Sequence, residues 1–275
     1  MEMSTLFLGS LTEVEKNDAE DAIGLLLVLL WLALRSRDSG LANYRLWFWS
    51  SFAGLGVSGN FAFYFVRIAQ GSVAVAATLM YSAPGFVYLA SFALKLERPN
   101  AVKWTSIAVV MTGIVLLTQI CDVNESRVTV AGIGPGLLAG ISYAVFIFGF
   151  KYAPPHGSPQ AILSIAFAVL AAILLWMGDA DQTIAALSTQ DWPLFISLGV
   201  LGAGLSFGLY IIGLNYTAPA VASIMAMVEP VTASLFGVVV LREHLTGSEI
   251  VGMGLILVTV TALSIYSRYH RSFYD

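Results

Sequence analysis

Apolar runs long enough to cross a bilayer, separated by short charged clusters, leave most of this chain a single solvent in which to fold. A hydrocarbon core of roughly 30 Å takes about 20 helical residues, and runs near 46 to 66, 71 to 94, 101 to 120, 129 to 149, 158 to 177, 192 to 214, 217 to 240 and 247 to 266 meet that length. A shorter run, 22 to 34, falls where a buried or interfacial segment competes with a true span, and is counted as the first of nine spans. Charged residues make up 11% of the chain, well below the roughly 25% of an average soluble domain. A closed β-barrel would show alternating segments of about 10 residues, and Leu198 to Leu214 does not alternate. The expected fold class is an all-α polytopic membrane protein, with the lipid bilayer as its main partner. Residues 1 to 21 form an acidic segment with Lys16 as their one basic residue, so no cleaved signal is visible. Cys121 stands alone and supplies neither a disulfide nor a thiolate metal cluster.

Lys and Arg in short loops are retained in the cytoplasm. With the C-terminal tail, 267 to 275, inside, the inner loops hold Arg35, Arg37, Arg45, Lys95, Arg98, Lys103 and Lys151, joined by Arg268 and Arg271. The outer loops hold Arg67, Arg127 and Arg242, with Lys16 in the acidic segment. The bias predicts a cytoplasmic C-terminus in a prokaryotic cytoplasmic membrane.

Sliding the chain by 146 residues superposes Tyr64 on Tyr210, Ala74-Val75-Ala76 on Ala220-Val221-Ala222, Pro84 on Pro230, Leu89 on Leu235 and Glu97 on Glu243, without a gap. The duplication divides the chain into a first repeat, 22 to 120, and a second, 129 to 266. The span at 192 to 214 comes five spans after its equivalent at 46 to 66, an odd number, so the equivalents point in opposite directions. Such inverted repeats place a substrate site near the midplane, and alternating access follows from their pseudo-symmetry.

Leu214-Asn-Tyr-Thr-Ala-Pro-Ala-Val-Ala-Ser223, Glu229-Pro230, Leu241-Arg-Glu-His-Leu245 and Gly252-Met-Gly254 resemble the second repeat of the EamA group of the drug/metabolite transporter superfamily. Gly71-Ser-Val-Ala-Val-Ala76, Tyr81-Ser-Ala-Pro84 and Leu94-Lys-Leu-Glu97 echo the same signature in the first repeat. The resemblance implies ten helices in two inverted halves, cytoplasmic termini, and carriage of small metabolites, often outward. The chain departs from that pattern at its start, where the helix expected before Ala22 is missing or rebuilt. With nine spans the N-terminus falls outside.

Glu229 is the one carboxylate well inside a span, where a charge costs roughly 2.5 to 3.5 kcal/mol. Two roles stay open for it: a site for proton coupling or a substrate ammonium, and a protonated, hydrogen-bonded residue that fixes packing beside Pro230. Pro84 and Pro230 each remove a backbone hydrogen bond at equivalent mid-span positions, which predicts kinks that serve as gating hinges or set helix shape. Tyr64 and Tyr210, related by the repeat, join Asn60, Tyr81, Tyr143, Ser206 and Met227 as candidate linings of a cavity between the 46 to 94 and 192 to 240 helix pairs. Interhelical hydrogen bonding or packing is the plainer role for any one of them. Glu97 and Glu243 close their helices against the macrodipole, and capping of helices that start after Asn100 and Thr246 accounts for them. Gly132, Gly136 and Gly140 have the spacing of a close helix contact, either between the halves or between protomers of a homodimer.

Enzyme chemistry finds no support. Gly140-Ile-Ser142-Tyr-Ala144 fits a pattern of intramembrane serine proteases, yet His156, His244 and His270 all lie at loops or ends. No phosphate-binding glycine loop is followed by a lysine, and no metal-ligand pair shares a membrane helix face. No cofactor, metal or nucleic acid is expected; the partner is a small-molecule substrate. The reading is a secondary transporter of small metabolites, with amino acids or similar amphipathic solutes suggested by the aromatic content and export by the resemblance. A non-transporting scaffold or subunit is the alternative raised by the deficient first helix.

Overall fold

The computed structural model describes residues 40–69, 73–96, 100–120, 130–177, 199–242 and 244–271. The acidic segment, the first expected span at 22 to 34, Cys121, Glu97 and Glu243 lie outside the described residues. Every regular element among the described residues is helical: α1 (Tyr44–Ala69), α2 (Val73–Met80), α3 (Ala83–Ala93), α4 (Ala101–Leu117), α5 (Val130–Tyr152), α6 (Pro159–Met177), a π-helix (Gly199–Ser206), α7 (Phe207–Asn215), α8 (Pro219–Met225), α9 (Val228–Leu241) and α10 (Gly247–Arg271). Four stretches are long and apolar enough to cross a membrane, Val75–Ala93, Ile133–His156, Pro219–Val240 and Gly247–Tyr266. The 26 residues of α1 reach about 39 Å at 1.5 Å per residue.

The chain forms two compact units, Met1–Phe65 with Val145–Tyr216 and Val66–Ala144 with Thr217–Asp275. Each draws on both halves of the sequence. In the first unit, α5 lies close against α1: a Cβ added at Gly56 would meet Phe146 Cα at 2.8 Å, and one at Gly149 would meet Ala53 Cα at 2.6 Å. Lys151 Nζ donates to the carbonyls of Leu214 and Asn215 at 2.7 and 3.2 Å, so the end of α5 and the end of α7 share a face. The helix end already closes with backbone N–H groups on Gly213 O and Leu214 O, and the ammonium adds a second donor to Leu214 O and meets the negative end of the dipole.

In the second unit, the repeat-related helices α4 and α10 pack along their length. Gly113 and Gly252 let the backbones approach, a Cβ at Gly252 meeting Gly113 O at 2.6 Å. Asn100 caps α4 by accepting from Val102 N at 2.8 Å, while Thr246 and Glu249 form a reciprocal capping box at the start of α10. Both caps also reach the partner helix. Asn100 Nδ2 donates to Tyr266 OH at 3.0 Å, and Gln119 Nε2 donates to Thr246 Oγ1 at 2.8 Å. The start of each helix meets the end of the other, so these equivalents run antiparallel, as an inverted repeat requires.

Gly252→Ala should therefore lower stability by about 1–3 kcal/mol through overpacking. Gly254→Ala, where an added Cβ meets nothing within 4 Å, should be neutral or stabilising by up to about 1 kcal/mol. Parallel thermal melts of the two variants in one detergent check the contrast.

Candidate functional site

Two of the expected spans are not continuous helices. The run from 71 to 94 stops at Met80, turns through Tyr81 and Ser82, and restarts as α3 with Pro84 in its first turn. Proline has no N–H to offer the carbonyl four residues back, and its ring clashes there. The chain tightens instead: Ser82 N donates to Leu79 O at 3.2 Å, Gly85 N to Ser82 O at 3.0 Å, and Ser82 Oγ to Leu79 O at 2.6 Å. The run from 217 to 240 repeats the device between α8 and α9, where Met227 N donates to Ile224 O at 3.1 Å and Glu229 N to Ala226 O at 2.9 Å. Pro84 and Pro230 are both buried. The expected kinks are present as tightened turns: Tyr81 N still donates to Ala77 O at 2.8 Å and Ala226 N to Ala222 O at 3.0 Å, and Ser82 and Ala226 keep right-handed helical angles.

The breaks belong to one unit, and α3 packs against α8 within it. The α5 glycines support the first break: an added Cβ at Gly136 would strike Leu79 Cβ at 2.7 Å, and one at Gly140 would sit 3.0 and 3.2 Å from the carbonyls of Leu79 and Met80. The expected role of these glycines in close contact is met within the chain, and Gly140 lets α5 lie directly on the interrupted backbone. Tyr143, one turn further along α5, is buried, as are Tyr81 and Met227 in the two turns.

Glu229 occupies the first turn of α9 and is exposed. A continuous span would put it in mid-helix. At the start of a half-helix its charge faces the positive end of the dipole, worth about 0.3–1 kcal/mol. Among the described residues its carboxylate has no hydrogen-bond or ion-pair partner.

The remaining candidates belong to the other unit. Asn60, 8% exposed, and the half-buried Tyr64 are one turn apart on α1. Ser206 ends the π-helix and is exposed; Tyr210 follows on α7, its ring edge-on to Phe146 at 6.2 Å and Phe150 at 6.5 Å. The repeat aligns Asn60 with Ser206 as it aligns the two tyrosines. Sequence reasoning missed the π-helix, for which Gly199, Gly202 and Gly204 were the available signal, since π turns often mark functional segments. It also placed Arg67 in a loop. Arg67 lies in the last turn of α1 and is 0% exposed.

Among the described residues, no three His, Cys, Asp or Glu side chains gather as a metal set. The region has instead two turns of tightened backbone, with a carboxylate at one of them. Pro230→Ala restores an N–H that can close the helix onto Ala226 O. The expected result is unchanged or raised melting temperature with transport slowed by about 10-fold or more, read by flux assays on reconstituted protein.

The EamA-like transporter family model matches residues 22–119 and 130–265. An uncharacterized transporter of Archaeoglobus fulgidus is 27% identical over 269 residues, covering 94% of this chain and 92% of that relative. The threonine/homoserine exporter RhtA of Salmonella typhimurium is 26% identical over 207 residues, covering 75% of this chain and 67% of its own. One solved crystal structure superposes with a TM-score of 0.76 at 18% identity, over 97% of this chain and 94% of that one, a likeness of fold.

Proposed function

The chain belongs to the EamA-like transporter family, and from that premise we propose that it is a secondary transporter exporting small amino-acid-like solutes by alternating access. The observation that carries this reading is the pair of apolar helices interrupted at repeat-equivalent prolines, with Glu229 exposed at one interruption. Interrupted helices expose backbone carbonyls and half-helix ends where an apolar span would otherwise offer nothing polar. A passive scaffold gains nothing from that arrangement, because each interruption forfeits intrahelical hydrogen bonds and Glu229 adds the cost of a membrane carboxylate. The solute class is supported by the threonine/homoserine exporter among the relatives. An amino acid suits the site chemically: Glu229 offers a counter-charge to an ammonium, and proline leaves one carbonyl at each turn without its usual helical donor.

Glu229 is also the group we assign to proton coupling. Gln keeps its shape and hydrogen-bonding capacity but cannot titrate. Reconstituted Glu229→Gln should lose accumulation of labelled threonine or homoserine driven by a pH gradient, while exchange without a gradient persists. Uphill transport by this variant at the wild-type rate would return Glu229 to a structural role. Absence of flux for any amino acid in the wild type, with the fold intact, would favour the scaffold.

We further propose that the C-terminus is cytoplasmic, from the nine basic residues assigned to inner loops. In a Cys121→Ser background, a cysteine at Ser248 should react with an impermeant maleimide applied to intact cells, and one at Ser158 should not. The reverse pattern overturns the orientation.

A further inference from the structure

We propose that Arg67 is the anchor for the negative end of the transported solute, its guanidinium pairing with a carboxylate or another small oxyanion. The inference rests on the transport reading above. Arg67 is 0% exposed and stands among the largest fully buried side chains. Among the described residues, its Nε, Nη1 and Nη2 have no hydrogen-bond partner. A guanidinium carries five donors and stays charged at any physiological pH, and an ion buried without a partner costs several kcal/mol even after relaxation. The helix C-terminus at which it sits returns about 0.3–1 kcal/mol, which leaves most of that cost uncompensated.

The described carboxylates do not supply the balance. Glu249 is engaged at the α10 cap, accepting from Thr246 N at 2.7 Å and Thr246 Oγ1 at 2.9 Å. Glu229 is exposed where Arg67 is fully covered. Position argues for a ligand instead. Asn60, Tyr64 and Arg67 follow one another at spacings of four and three residues, so they share one face of α1. That face carries an amide, a phenol and a guanidinium, and the fork of the last matches two carboxylate oxygens at once.

The repeat adds a second argument. Displaced by 146 residues, Arg67 falls on Gly213 and Glu229 on Ala83, whereas Tyr64 falls on Tyr210 and Pro84 on Pro230. The two charges occur in one repeat each, have opposite sign, and so distinguish solutes where the shared framework cannot. Because Arg67 is fully covered in this conformation, a lipid headgroup does not reach it; the anion enters when the surrounding helices open.

The test uses purified protein in detergent, with melting temperature read for wild type, Arg67→Met and Arg67→Lys, alone and with a panel of L-amino acids and their amides. Without solute, Arg67→Met should melt at or above the wild-type temperature, because an unpaired buried cation has been replaced by an apolar side chain of similar reach. Millimolar amino acid should raise the wild-type melting temperature while the amide, lacking the carboxylate, should not. That response should vanish in Arg67→Met and need about tenfold more ligand in Arg67→Lys. A marked drop in melting temperature for solute-free Arg67→Met would mean a protein partner and overturn the proposal, as would an undiminished amino-acid response in that variant. If Arg67→Met fails to fold, equal responses of the wild type to acid and amide overturn it, and an acid-only response weakened in Arg67→Lys sustains it. If no amino acid stabilises the wild type, sodium acetate and inorganic phosphate are tested against sodium chloride. Stabilisation by either anion, lost in Arg67→Met or weakened in Arg67→Lys, keeps the anchor and discards the amino-acid reading; no anion response discards the anchor.

Discussion

A bilayer core has no water to satisfy a backbone N–H or C=O, so a membrane helix that is interrupted must find partners for the freed groups or line a cavity. Pro84 and Pro230 impose that demand at two equivalent places, and much of the second unit answers it. Ser82 Oγ and the i−3 backbone bonds take up part of the freed hydrogen bonding. Gly136 and Gly140 bring α5 against the first interruption without inserting a side chain. At the second, the turn at Ala226–Met227 hands the chain to α9 with Glu229 in its first turn. Glu229 is placed where the dipole favours a negative charge because the helix begins again there.

The all-helical apolar character, the duplication and the starts of α4 and α10 were legible because each leaves a signal in composition or spacing. Apolar length marks a span, identity at a fixed displacement marks a repeat, and Asn100 and Thr246 are residue types that cap helices. The kinks were legible from the two prolines, but the tightened hydrogen bonding around them was not, because an apolar run looks the same whichever way its backbone is paired. Tyr81-Ser82 and Ala226-Met227 are as apolar or small as their neighbours, and proline signals only that one hydrogen bond is missing. The π-helix escaped for a related reason: a register change within an apolar glycine-containing run alters hydrogen-bond pairing without altering hydropathy. Arg67 was assigned to a loop because charge was taken as the mark of a span's end, whereas α1 continues to Ala69 and buries it. Of the candidate residues, those whose importance came from the repeat sit at matched positions on α1 and α7 or at the two interruptions. The first span and the helix-end acids Glu97 and Glu243 lie outside the described residues.

The α4 and α10 pair shows how a duplicated sequence can brace a helix that proline has weakened. Its glycines permit contact close enough that neither helix can shift without a backbone clash, and interiors this tightly packed transmit displacement in place of absorbing it. Hydrogen bonds between caps and partner helices tie both ends, Asn100 to Tyr266 and Gln119 to Thr246. Against this post rest α8 and α9, on either side of the second interruption. A helix broken in two beside a continuous, doubly tied pair has one soft point, the turn at Ala226–Met227, where two residues separate the half-helices. The duplication places a proline turn at equivalent points of both repeats, and the unmatched charges of Arg67 and Glu229 give the two repeats different chemistry.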